Sequence, residues 1–204
     1  MKKCPDIDIT YINKLLDQHG YEYIQPLKDG AFATVHVVKS RKYNVNFVAK
    51  IALKNEESNE NSEINVLMHL SHPNIIAIYD YFEVDNLAFF ILEYCQNGSL
   101  HESMSHGHLS HELIYDYWRQ ILLGIQYCHQ KQVVHGDIKP ANILIQTNQR
   151  IKVADFGLSH FSRCGNSSIL GGSWQYMSPE IIQRRDHDPY KSDVWALGIM
   201  FYEM

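Results

Sequence analysis

The hydrophobic period of this chain changes near residue 95, and that change limits the possible folds more than any other feature. Between Tyr21 and Tyr94 the apolar residues fall in short β-favouring runs: YEYIQPL, ATVHVVKS, NVNFVAKIAL, IIAIYDYF and LAFFILEY. The first four run-ends meet turn-forming or polar stretches such as KDGAF and RKYN, and Glu83 to Asn86 joins the last two runs. From His111 to Lys131 the apolar positions are instead 113, 114, 117, 118, 121, 122 and 125, the wide stripe of a buried helix. Inside the strand region, EINVLMHL puts Ile64, Leu67, Met68 and Leu70 at helical spacing before His72-Pro73-Asn74 ends it. Ahead of the strands, Ile9, Ile12, Leu15 and Leu16 share one helical face, with Gly20 as a stop. The pattern predicts an α+β chain in three parts: a helical extension over 1–20, an antiparallel sheet lobe with one helix over 21–95, and a mainly helical lobe over 96–204. Two short strands, NILIQ and RIKVA, and a long loop from Asp155 to Glu180 interrupt the helical lobe. A loop of that length in a compact domain points to function.

A hydrophobic fraction of 45% is enough to fill such cores, and a formal charge of -5 lacks the basic excess that an electrostatic hold on nucleic acid or anionic membrane needs. Neither is expected as a partner. The start, MKKCPDIDIT, breaks into acidic and polar residues before any apolar core of a signal peptide, and no later run reaches bilayer-spanning length. Cys4, Cys95, Cys128 and Cys164 form no C-x-x-C pair, which fits reduced thiols. An intracellular address, cytoplasmic or also nuclear, is expected. His101, His106, His108 and His111 are read as exposed loop and cap residues in preference to a zinc site.

The chemistry-bearing residues lie in the second half. Phosphoryl transfer asks a protein to position a nucleotide, neutralise charge and place a carboxylate at the acceptor hydroxyl. In HGDIKPAN, Asp137 can orient a hydroxyl and accept its proton, Lys139 can offset charge on the moving phosphoryl group, and Asn142 can hold a metal ion. In ADFGL, Asp155 can bridge magnesium to phosphates. Matching letters in H-x-D-x-K-P-x-N arise by chance on the order of once in ten thousand chains of this length.

With these motifs the chain resembles the eukaryotic protein kinases, from about Tyr21 to Met204. The order supports the likeness: VAK, HPNII, LEYCQNGSL, HGDIKPAN, DFG, SPE for A-P-E, and DVWALG. The resemblance implies that Lys50 pairs the α and β phosphates of ATP with Glu63 as its ion-pair partner. It implies that Leu27, Gly30, Val35 and Ala49 line the nucleotide site. Leu92 would back the adenine pocket, while Glu93 and Cys95 offer backbone groups to the base. It implies Mg2+ at Asn142 and Asp155, catalysis by Asp137 and Lys139, and a protein substrate. Lys139 and Ser173 point to serine or threonine acceptors. His135 is expected to be a packed structural residue beside Phe156.

The chain departs from the family pattern in four places. Lys28 and Ala33 stand where the phosphate loop usually has glycines. Gly136 replaces an arginine that meets a phosphate on the activation loop, so activity without obligatory phosphorylation at Ser162, Ser167 or Ser168 is expected. Trp174 follows Ser173 where proline is common. KSDVWALGIMFYEM resembles the start of a long helix that in the family continues into further helices; the partner of Glu180 is expected there, and the chain is read as a fragment or a truncated product. Two functions are expected from these residues: an ATP- and magnesium-dependent serine/threonine kinase, or a pseudokinase that binds nucleotide or a partner without turnover.

Overall fold

The computed structural model describes residues 8–29, 33–54, 63–107, 109–162 and 171–204. Gly30, Cys4, Cys164, His108, Ser167 and Ser168 lie outside the described residues. The chain divides into two compact units, Met1–Ser58 with Ala77–Tyr94, and Asn59–Ile76 with Cys95–Met204.

The first unit is a five-stranded antiparallel sheet with one helix packed on it. Strands β1 (Tyr21–Asp29), β2 (Ala33–Ser40), β3 (Asn46–Leu53), β4 (Ile78–Val84) and β5 (Leu87–Glu93) lie in the order β1-β2-β3-β5-β4. Helix α1 (Ile9–Gln18) starts where the Asp8 carboxylate accepts the N–H of Thr10, satisfying one of the donors a helix start leaves open. It buries Ile12, Leu15 and Leu16 against Val38, Phe47, Ala49, Ile51, Leu87, Phe89 and Ile91. The apolar face read from the sequence is therefore real, apart from Ile9, which is exposed. The helix is more than an extension: its side chains complete the core on one face of the sheet. Each such fully buried Leu or Ile contributes roughly 1.5–3 kcal/mol of transfer free energy.

In the second unit, α2 (Glu63–His69) buries Val66 and Leu67, and the segment after it is tied to β8 (Ile151–Val153). Ile76 N–H donates to Val153 O at 2.9 Å, and Asn74 Nδ2 donates to Ile151 O at 3.1 Å. These bonds explain why 59–76, expected from the sequence to belong with the strands, group with the helical unit. Helix α3 (Leu100–Ser105) begins with a reciprocal cap in which Ser99 and Glu102 exchange side-chain and backbone bonds. Helix α4 (His111–Gln130) inserts Tyr117, Ile121, Ile125 and Cys128 into the core. Around it run the two-residue β6 (Val133–Val134), β7 (Ile143–Ile145), β8 and β9 (His160–Phe161), paired β6 with β9 and β7 with β8. The 155–180 stretch is less of a loop than its composition suggests. It contains β9, a 3-10 turn at Trp174–Tyr176 and the start of α5 (Pro179–Ile182). Helix α6 (Pro189–Glu203) follows, capped by the Asp188 side chain with proline at its first turn.

Candidate active site

In the first unit, strand register decides which residues can face a common ligand. Directly opposed residues of an antiparallel ladder project to the same side of the sheet, and neighbours along a strand to opposite sides. Val35 is opposed to Lys50, Val48 to Leu92, and Lys50 to Phe90. Val35, Val48, Lys50 and Leu92 therefore share one face. Ala49 does not: opposed to His36 and Ile91, it lies in the core beneath α1 with Phe47 and Ile51. Ala49, expected to line a nucleotide site, is thus off the Lys50 face, because alternation places Val48, two residues before Lys50, and not the neighbouring Ala49, on that side. Leu27 sits where the β1–β2 register shifts between Pro26 and Lys28, and half of it is exposed. Glu93 closes β5 with its N–H donated to Ala77 O at 2.9 Å.

In the second unit, Cys95 is buried and Glu63 opens α2, half-buried. The loop after β6 gathers the expected catalytic residues. Asp137 Oδ2 accepts Lys139 Nζ at 2.6 Å and Asn142 Nδ2 at 3.1 Å, while its Oδ1 accepts the Ser173 N–H at 2.8 Å. Lys139 Nζ also donates to Ser173 Oγ at 2.8 Å, so one ammonium group bridges the carboxylate and the residue expected to mark the acceptor class. Asn142 Nδ2 donates again to Asp137 O at 2.8 Å. Both donations use the amide nitrogen, which makes the side-chain carbonyl the atom Asn142 would offer to a hard cation. Ala154 N–H donates to Asn142 O at 2.9 Å, and this bond sets Asp155 beside it, exposed, with φ +63. The Asn142 side-chain carbonyl and the Asp155 carboxylate are hard oxygen donors, the type that magnesium takes.

Burial pushes the Asp137 carboxyl up, but the hydrogen bond and charge of Lys139 and the hydrogen bonds of Ser173 outweigh it, so the group is held below its ordinary value. It is ionised at neutral pH. His135 is held by hydrogen bonds and packing. Its Nδ1 accepts the Asp137 N–H at 3.2 Å, its Nε2 lies 3.1 Å from Ala154 O, and its fully buried ring packs 4.9 Å from Phe156, as expected. Both nitrogens are used, which suits the tautomer protonated on Nε2.

A residue without an assigned role in the sequence holds this loop. The Asp193 carboxylate, 2% exposed, accepts His129 Nε2 at 2.9 Å and the N–H groups of His135 at 2.9 Å and Gly136 at 3.0 Å. Its charge is thus repaid by three donors, the condition for keeping an ion in the interior. The signal was present in DVWALG, but nothing in that string says which backbone groups the aspartate meets. Gly136 itself has φ +80, and a Cβ there would lie 3.0 Å from Leu158 O. Opposite it, Gly172 has φ +106 and a Cβ there would fall 2.8 Å from Gly136 O. The glycine is demanded by backbone geometry and close approach, in addition to lacking an arginine's charge.

Among the described residues, no group of three His, Cys, Asp or Glu side chains is placed to hold a metal ion. Comparison with known proteins agrees with this geometry. Residues 21–204 match the protein kinase domain family. Aurora kinase B of Danio rerio is 33% identical over 198 residues, 94% of this chain and 62% of that protein. CBL-interacting serine/threonine-protein kinase 2 of Arabidopsis thaliana is 30% identical over 192 residues, 89% of this chain and 42% of that protein. The Aurora kinase of Patiria pectinifera is 34% identical over 193 residues, covering 90% and 47%. The chain therefore spans about two fifths to three fifths of the length of these relatives. With a sheet face organised around Lys50, a carboxylate held by Lys139, Asn142 and Ser173, and a family match from Tyr21 to Met204, the chain belongs to the protein kinase domain family.

Proposed function

We propose that this chain transfers the γ-phosphoryl group of ATP, with Mg2+, to serine or threonine hydroxyls of a protein. The observation that carries the reading is the bonding of Asp137: an ionised carboxylate fixed by Lys139, Asn142 and the Ser173 N–H. Bound Mg-ATP supplies the phosphoryl group and neutralises its charge. The chain's own residues do the rest. Asp137 orients the acceptor hydroxyl and takes up its proton as the oxygen–phosphorus bond forms and the bond from the γ-phosphorus to the bridging oxygen breaks, releasing ADP. Lys139, already at Asp137, offsets negative charge on the transferred group. Lys50 steadies the α and β phosphates, and Val35, Val48 and Leu92, on the same sheet face, receive the base. Asn142 and Asp155 offer the metal its oxygen donors. Ser173, bonded to both Lys139 and Asp137, supports a serine/threonine acceptor, as do relatives named as serine/threonine kinases.

The test is incubation of the chain with labelled ATP, Mg2+ and a serine- and threonine-containing protein, followed by phosphoamino acid analysis, with nucleotide binding measured in parallel. Phosphoserine or phosphothreonine that disappears in Lys50→Met supports the proposal. ATP binding with no transfer would replace it with a nucleotide-binding pseudokinase.

A further inference from the structure

The chain on either side of Asp155 is fastened to the catalytic loop, and the fastenings after it use hydroxyls that have no part in the chemistry above. Ahead of Asp155, His135 Nε2 lies 3.1 Å from Ala154 O. Beyond it, the Ser159 hydroxyl donates to His135 O at 2.9 Å, and Ser159 is 4% exposed. His135 is fully buried, so water cannot replace that donor at its carbonyl. One residue of the catalytic loop, two positions from Asp137, thus grips the chain on both sides of Asp155.

Directly after Ser159, β9 pairs with β6 through Val133 with Phe161 and Val134 with His160. So short a ladder has little stability of its own, and its outgoing end is closed by other groups. Ser162 N–H donates to Gln132 O at 2.8 Å, and Ser162 O accepts the Tyr190 hydroxyl at 2.5 Å. Tyr190, in the first turn of α6, stands edge-on to the His129 ring at 4.9 Å, and His129 Nε2 lies 2.9 Å from Asp193 Oδ2. Asp193 in turn holds the N–H groups of His135 and Gly136. Tyr190 therefore joins the end of β9 to the carboxylate that fixes the loop just before Asp137.

We propose that Ser159 and Tyr190 are positioning residues for phosphoryl transfer: their hydroxyls clasp the segment that follows Asp155 onto the catalytic loop, and so fix Asp155 and Asp137 relative to one another. The inference rests on the kinase reading above. Both hydroxyls act through a carbonyl, Ser159 through His135 O and Tyr190 through Ser162 O. The reaction feels them because placement of the two carboxylates sets the rate: a misplacement of about 1 Å by a distant change can cost on the order of 10²-fold. Removing one clasp loosens the segment while the other still holds it, so each single loss is smaller than that.

The experiment compares Ser159→Ala and Tyr190→Phe with the wild-type full chain; each variant loses one oxygen and keeps the rest of its side chain. kcat and KM for ATP are measured with a serine- and threonine-containing protein, well below the unfolding temperature, and backbone amide exchange is followed in parallel. Each variant should lose about three- to tenfold in kcat, the range of one lost hydrogen bond, with KM for ATP within about twofold of wild type. Exchange at His160, Phe161 and Ser162 should accelerate by about the same factor, while that of Ile121 and Ile125 in the α4 core stays as in wild type. Wild-type kcat in either variant would overturn the proposal and leave the kinase reading standing. Exchange that accelerates equally in α4 would overturn it too, because the hydroxyls would then support the fold as a whole. No transfer by the wild-type chain would overturn the kinase reading, and this proposal with it.

Discussion

Replacing Gly136 by alanine tests whether this position is a damaged arginine site or a required glycine. At φ +80 an L-residue pays about 1–2 kcal/mol for the left-handed conformation. The new Cβ would also stand 3.0 Å from Leu158 O, a backbone atom that cannot swing aside as a side chain can. The two effects together put the loss near 1–3 kcal/mol. Urea unfolding of wild type and Gly136→Ala should show a lower midpoint at unchanged slope. Amide exchange across 133–138 should accelerate roughly 5- to 150-fold, since about 1.4 kcal/mol is tenfold. Gly136→Arg carries the same backbone cost and should lose stability without gaining phosphotransfer. The reasoning fails if Gly136→Ala is neutral or more stable: a glycine in an ordinary helical or extended conformation gains about 0.4–1 kcal/mol on becoming alanine.

Other expectations follow from packing and charge. Leu16→Ala, at a fully buried position of α1, should cost about 2–5 kcal/mol in unfolding of the first unit, and a cost below ~1 kcal/mol would show that α1 is not part of its core. Ala49→Leu should overpack the α1 side by about 1–3 kcal/mol and leave the ATP dissociation constant alone, whereas Val48→Phe should weaken ATP binding about tenfold or more; the reverse pattern would restore Ala49 to the nucleotide face. For Asp137, whose folded value lies below the ordinary 3.8, the stabilisation is complete above the unfolded value and fades as pH falls through the folded one. The stability difference between wild type and Asp137→Asn should therefore stay flat from about pH 7 to pH 5 and shrink below about pH 4. A difference that changes between pH 5 and 7 would mean that Lys139 and Ser173 do not hold the carboxylate down.

The elements that were legible in the sequence are those whose side chains repeat a period over many residues. Helix α4 runs over nearly the same stretch as its apolar stripe, and three of the five strands fall within their runs, while β1 and β4 each extend two residues past the end of theirs. Strands β6 and β9, two residues each, are too short for any period, and exist because Val133 and Val134 pair with Phe161 and His160 far along the chain. Helix α3 had a readable start, the Ser99-x-x-Glu102 cap, hidden by the histidines and glycine around it. At the site, residue identity could be read at Asp137, Lys139 and Asn142 because the motif places them within a few residues of each other. Facing could not be read from VAK, where only the pairing of β3 with β2 and β5 separates Val48 from Ala49. Asp193 escaped because its partners, His129 and the N–H groups of His135 and Gly136, lie about 57–64 positions away.

The measurement closest to the central claim is the rate of 32P transfer from ATP to a serine/threonine protein by the chain and by Asp137→Asn, at saturating Mg2+ and with ATP binding checked in both. The bonding of Asp137 predicts transfer by the wild type, a fall of about 10²-fold or more in the variant, and nearly equal ATP affinity. Equal transfer by both proteins would contradict a catalytic role for Asp137 and the mechanism built on it.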